Sequence, residues 1–191
     1  MVNVPPSLTG TVTAGVYTEN DPPFGIQPSL VITDPDNTVL ETAIVSIANN
    51  FQSGQDILSF TASAGISGMY NPSTGILTFS GTGTLATYQA LLRSVAYANS
   101  SEDPSPVPRT IRFQVFDGLD NSNPLDRAVN VGPVNDPPEM DGSAGQIQYT
   151  AGDLVLDNTL LVTDVDNTQI TGGTVAITNN FLPAEDLLNF I

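Results

Sequence analysis

Two acid-rich turns carry the first chemistry in this chain: Asp34-Pro35-Asp36-Asn37 and Asp164-Val165-Asp166-Asn167. Each follows a short apolar run, residues 30–33 and 160–163, that reads as a strand. Asp-x-Asp at a strand end points two carboxylates toward the same domain edge. Calcium takes about six to eight hard oxygens, several from carboxylates and others from loop carbonyls. More such donors stand at Glu19-Asn20, after the first strand, and at Asn135-Asp136, in a linker. A linker acid lies between two domain edges, so one calcium there would bridge them. Asp and Asn also favour turns for purely local reasons, and for either Asp-x-Asp taken alone that is the stronger reading. An EF-hand loop starting at Asp34 is excluded, because its Gly and Glu positions hold Val39 and Val45.

Little else in the composition supports chemistry. Cys, His and Trp are absent, and the four basic residues are all Arg. That removes disulfides, thiolate zinc sites, the commonest general base and lysine chemistry. The serines have no base to activate them. Glu102-Asp103 could in principle act as a glycosidase pair, but adjacent acids on a proline-rich loop read as a solvated turn. We therefore expect no enzyme. Twenty acids against four arginines leave a net charge of −16, so nucleic acid and anionic membrane surfaces are poor partners. Solubility alone accounts for much of that charge. The opening MVNVPPSL has neither the basic nor the apolar part of a secretion signal, and no apolar run approaches the roughly 20 residues of a membrane span. The lack of Lys favours an extracellular or cell-surface location, with any signal encoded elsewhere in a longer parent.

The chain repeats itself. Residues 30–60 return as residues 160–190 without a gap, and TDxDNT, NNF and DxLxF recur in order. The linker Val2-Asn3-Val4-Pro5-Pro6 returns as Val134-Asn135-Asp136-Pro137-Pro138. A period this long is a whole domain rather than a solenoid turn. Residues 1–6 read as a linker remnant, 7–133 as a complete repeat, 134–138 as a proline-rich linker and 139–191 as a truncated second repeat. The consecutive prolines restrict the angles between neighbouring domains.

Short runs rich in Val, Ile, Thr and Phe, divided by Gly, Pro, Asn and Asp, predict an all-β Greek-key sandwich. Strands are expected over residues 11–18, 30–33, 43–48, 57–61, 76–80, 110–116 and 128–131. Residues 109–116 alternate, with Ile111, Phe113 and Val115 on one face and Arg112 and Gln114 on the other. Residues 84–95 instead place Leu85, Tyr88, Leu92 and Val95 at helical spacing behind Thr84 as N-cap. Pro104, Pro106 and Pro108 predict an extended surface loop.

An ordered set of motifs then resembles a cadherin-type repeat: Val16-Tyr17-Thr18-Glu19-Asn20, residues 30–36, Thr74-Gly75-Ile76-Leu77, Val115-Phe116-Asp117-Gly118 and residues 134–138. It is most similar to the cadherin-like repeats of very large bacterial surface adhesins. The resemblance implies a cadherin- or immunoglobulin-like sandwich and a calcium site at each junction. For the junction after the complete repeat it implies Glu19, Asp136, Asp164 and Asp166 as ligands, with Asn135 as a further candidate. Asp34, Asp36 and Asp117 would serve the preceding junction. The sequence departs from the family at several points. No acid occurs from Ile76 to Ser101, the first linker has Val4 where Asp136 stands in the second, and the second repeat has Ala151 where Glu19 falls. These ligands support one or two ions rather than three.

The expected function is thus a calcium-rigidified structural and adhesive module, with neighbouring repeats as its partners. Carbohydrate binding is an alternative, in which Tyr70, in an apparent loop, would be the stacking aromatic and a surface polysaccharide the partner. A metal-free passive spacer is another.

Overall fold

A computed structural model describes residues 2–143 and 145–189, and Phe190, which ends the repeated DxLxF motif, lies outside them. The chain divides into two compact units, Met1–Asn135 and Asp136–Ile191.

Unit 1 contains β1 (Ser7–Thr9), β2 (Gly15–Thr18), β3 (Phe24–Gly25), β4 (Val31–Thr33), β5 (Val39–Asn49), β6 (Asp56–Ser59), β7 (Ser67–Asn71), β8 (Ile76–Thr84), α1 (Leu85–Arg93), β9 (Ala96–Asn99), β10 (Arg109–Phe116) and β11 (Leu125–Gly132). Six strands form the main sheet in the order β2-β11-β10-β5-β8-β7. The β1-β4 pair and the β3-β9-β6 sheet share a single core with it, which makes the unit an all-β sandwich with one short helix. The main-sheet pairs are antiparallel except β2 with β11, which run parallel and bring Thr18 opposite Gly132. The residue after each strand, Glu19 after β2 and Pro133 after β11, therefore emerges at the same end.

The alternation of β10 holds. Ile111, Phe113 and Val115 are buried, whereas Arg112 is exposed and Gln114 half-buried. The helix also forms as expected. The Thr84 hydroxyl accepts from the Thr87 N–H at 3.1 Å, and Tyr88, Leu91 and Leu92 are buried. Several strands differ from the sequence expectation. Pairing covers only Gly15–Thr18 of the expected 11–18 run, β5 extends to 11 residues, and β1, β3, β7 and β9 were not expected. Tyr70 lies in β7, not in a loop. Its hydroxyl donates to the Asp56 carbonyl at 2.7 Å, and its ring packs on the core.

A buried ion pair fastens the sandwich to the 100–108 loop. Arg109 and Asp56 side chains are fully buried, with Nε 3.2 Å from Oδ2. Asp56 also accepts from the Tyr97 hydroxyl at 2.6 Å, the Asn99 amide at 2.7 Å and the Gln52 N–H at 2.8 Å. The other arm of Arg109 donates to the Ser105 and Val107 carbonyls at 2.6 and 2.7 Å. The proline-rich stretch is thus fixed from within, and Pro104 is buried rather than solvated.

Unit 2 repeats the local structure of unit 1. Its β12 (Glu139–Asp141) pairs antiparallel with β13 (Leu161–Thr163), as β1 pairs with β4. The Gln27 side chain accepts from the Thr11 N–H at 3.0 Å, and the Asp157 side chain accepts from the Ser143 N–H at 2.6 Å. Asn50 and Asn180 have φ of 59° and 56°. Packing does not follow. Leu30, Leu40 and Val45 are fully buried, whereas their counterparts Leu160, Ile170 and Val175 are 51%, 44% and 71% exposed. Residues 169–178 form no strand, and the β12-β13 pair is the sheet of unit 2 among the described residues.

Candidate metal-binding residues

At the end of unit 1 nearest the first linker, Asn3 contacts Asp117, and Asn37, on the turn that holds Asp34 and Asp36, contacts Asn3. Asp34 follows β4, and its Oδ1 accepts from the N–H groups of Asp36 at 3.2 Å and Asn37 at 2.9 Å. This is the turn-capping role that Asp-x-Asp offers by itself. The other oxygen, Oδ2, is buried with no hydrogen-bond donor. Asp36 accepts from the Val4 N–H at 3.1 Å, tying the linker to the turn. Asp117, after β10, accepts from the N–H groups of Leu119 at 2.8 Å and Asp120 at 2.7 Å. The Asn3 amide bridges Asp117 and Asp120 at 3.0 Å each, and Asn37 donates to the Asn3 side-chain oxygen at 2.8 Å. Burial opposes the charge on Asp117, but the donors from Asp120, Asn3 and Leu119 together hold its carboxyl below the usual range.

At the opposite end, Glu19 follows β2, and its N–H donates to the Gly132 carbonyl at 2.9 Å. Asn20 turns the chain with φ of 63°. Glu19 is only 5% exposed. Its Oε2 accepts from the Val134 N–H at 2.8 Å, and its Oε1 is buried with no donor. An unsatisfied buried carboxylate oxygen is costly without a cation or donor. The donor set is entirely hard oxygen, which suits calcium rather than a softer metal.

In unit 2, the turn after β13 reproduces its counterpart. Asp164 Oδ1 accepts from the N–H groups of Asp166 at 3.1 Å and Asn167 at 2.8 Å. Asp166 accepts from the Asp136 N–H, as Asp36 does from that of Val4. Asn135, the other linker candidate, is the last residue of unit 1. Where the second repeat lacks a Glu19 equivalent, Ala151 is followed by Gly152, whose φ of 75° matches the turn at Asn20. The turn is kept and the acid is lost.

Three residues went unrecognised in the sequence. Asn3 and Asp120 complete the cluster around Asp117; the spacing Asp117-Gly118-Leu119-Asp120, a tight acidic turn, was the available signal. Glu102, read as a solvated turn, brings a carboxylate oxygen within 4.8 Å of one from Glu19. Its signal was position: it is the first acid after the acid-free stretch 76–101.

No protein-family model matches the chain. It is similar to a segment of Halomucin from Haloquadratum walsbyi (strain DSM 16790 / HBSQ001), with 32% identity over 106 residues. The match covers 53% of this chain and 1% of that protein. The chain therefore resembles one small part of a much longer protein, and the likeness attaches no ligand or adhesive role to it. Among the described residues, no helix is long and apolar enough to cross a membrane.

Proposed function

We propose that this chain is a calcium-binding, cadherin-like structural module of a large secreted or cell-surface adhesive protein. In this reading calcium stiffens the junctions between successive repeats. The carrying observation is Glu19, a carboxylate nearly removed from water with one oxygen lacking any donor. A divalent ion would supply the missing positive charge. Glu19, Asp136, Asp164 and Asp166 would hold it, with Asn135 as a further oxygen donor. Asp34, Asp36 and Asp117 would serve the preceding junction. The role is non-enzymatic, and its partners are neighbouring repeats.

The passive-spacer reading has one observation in its favour. Around Asp117 the Asn3 and Asn37 amides already supply hydrogen-bond donors, so that carboxylate is satisfied without an ion. A polysaccharide site at Tyr70 is disfavoured, because its hydroxyl and ring are both engaged within the fold.

Thermal unfolding of the full chain in calcium and in chelator, beside Asp136→Ala, tests the proposal. Ligand that binds only the folded state stabilises it by about 2.7 kcal/mol at a hundredfold excess over Kd. A calcium-dependent rise in melting temperature, lost in Asp136→Ala, is expected. No response to calcium would leave the Asp-x-Asp pairs as turn residues and favour the spacer.

A further inference from the structure

We propose that Glu102, on the proline-rich loop between β9 and β10, is a calcium ligand together with Glu19. This rests on the calcium reading above, but it adds a residue that neither the repeated motifs nor the resemblance supplies.

Three observations carry it. First, a carboxylate oxygen of Glu102 lies within 4.8 Å of one from Glu19. Two negative groups this close repel, more strongly where one is shielded from water. Second, Glu19 is 5% exposed and its Oε1 has no donor. Third, the loop carrying Glu102 is held in place. Its start is fixed by Ser100 N–H to the Gln55 carbonyl at 3.0 Å and Ser101 N–H to Asn99 Oδ1 at 2.8 Å. Its far side hangs on Arg109, whose Nη1 donates to Ser105 and Val107, and Arg109 is anchored by Asp56. The buried ion pair thus holds an exposed carboxylate beside a buried one. The Asn20 amide donates to Glu102 Oε2 at 3.2 Å, which leaves its other oxygen to face a cation. Hard carboxylate oxygens, one from a shielded residue and one from a loop fixed in space, form the kind of donor pair calcium takes.

The test is calorimetric titration of the full chain with calcium chloride, comparing wild type, Glu102→Gln, Glu19→Gln and Asp103→Asn. Asp103→Asn removes an equal charge from the neighbouring position and controls for the general field. Glu102→Gln should weaken calcium binding by about tenfold, because ligand charge count sets affinity. Asp103→Asn should leave it unchanged. In chelator, Glu102→Gln should melt no lower than wild type, since Gln keeps an acceptor for Asn20 and removes the repulsion. Wild-type affinity in Glu102→Gln, with binding lost in Glu19→Gln, would overturn the role of Glu102 alone. No binding by the wild-type chain would overturn it together with the calcium reading. A lower melting temperature of Glu102→Gln in chelator would mark Glu102 as a fold-stabilising residue and also overturn it.

Discussion

The Asp56–Arg109 pair is a fully buried ion pair, a kind of contact that is costly to break. Both side chains are fully buried, and each is held by further hydrogen bonds. Removing one partner leaves a buried charge uncompensated, so Asp56→Ala should destabilise unit 1 by about 3–5 kcal/mol. Urea unfolding measures this, and a loss below about 1 kcal/mol would refute the network's importance. At Asp117 the depressed folded pKa sets a pH dependence. A carboxyl whose pKa is lower in the folded state contributes stability above its unfolded value, which is lost as pH falls through the folded value. Asp117 should therefore stabilise fully at neutral pH and contribute progressively less as the pH falls below about 4. Asn3→Ala removes one of the donors, and NMR titration should then show the Asp117 pKa rising toward the usual range. Of the residues in these networks, Glu19 and Asp117 were legible in the sequence, because they occupy motif positions. The Asp56–Arg109 pair was not, because its partners are 53 residues apart and only the fold brings them together.

At the scale of elements, the helix and its connection to β8 were the easiest to read and the most constrained. Helical spacing and a Thr cap are local signals, and both hold. Thr84→Ala should cost about 1 kcal/mol, the usual value of an N-cap, with chemical denaturation as the check. Just before the helix, the β5–β8 register slips, so that Gly81 and Thr82 oppose the single residue Glu41. Gly81 has φ of 133°, and a Cβ there would lie 2.4 Å from the Gly65 carbonyl oxygen. The Tyr88 hydroxyl, from the helix, reaches the Gly81 and Glu41 carbonyls at 2.7 and 2.8 Å and locks the bulge in place. Burial, with the Glu41 charge adding, pushes that phenol up to about 12, so it stays protonated and donating across the physiological range. Gly81→Ala should cost at least about 1–3 kcal/mol, the price of a strained backbone region, and an unchanged denaturation midpoint would refute the close contact. By contrast, β3 and β7 have little apolar alternation. Phe24-Gly25 and Ser67–Asn71 become strands only because β9 and β8 lie beside them to accept their hydrogen bonds.

At the scale of the whole molecule, the two units carry the same local code with different packing. Amide hydrogen exchange should therefore be much faster in residues 139–189 than in the core strands of unit 1, and comparable protection would contradict the exposure of Leu160, Ile170 and Val175. The net charge of −16 adds a second expectation. In chelator, raising sodium chloride from about 0.05 to 1 M should raise the melting temperature by screening self-repulsion, and a fall would refute it. What the sequence determined by itself is the all-β class, the repeat, the helix with its cap, and the acids at the strand ends, because periodicity, turn chemistry and capping act over a few residues. Unit 2 bears this out: its acidic turn and its first strand pair persist where the apolar residues remain exposed. What only the tertiary structure decided is which distant groups meet. The parallel pairing of β2 with β11 brings Glu19 to the linker end, and the 100–108 loop brings Glu102 beside it. Such meetings depend on sheet order and a buried ion pair spanning the chain, and sheet order is set by the packing of the complete core rather than by any local run of residues.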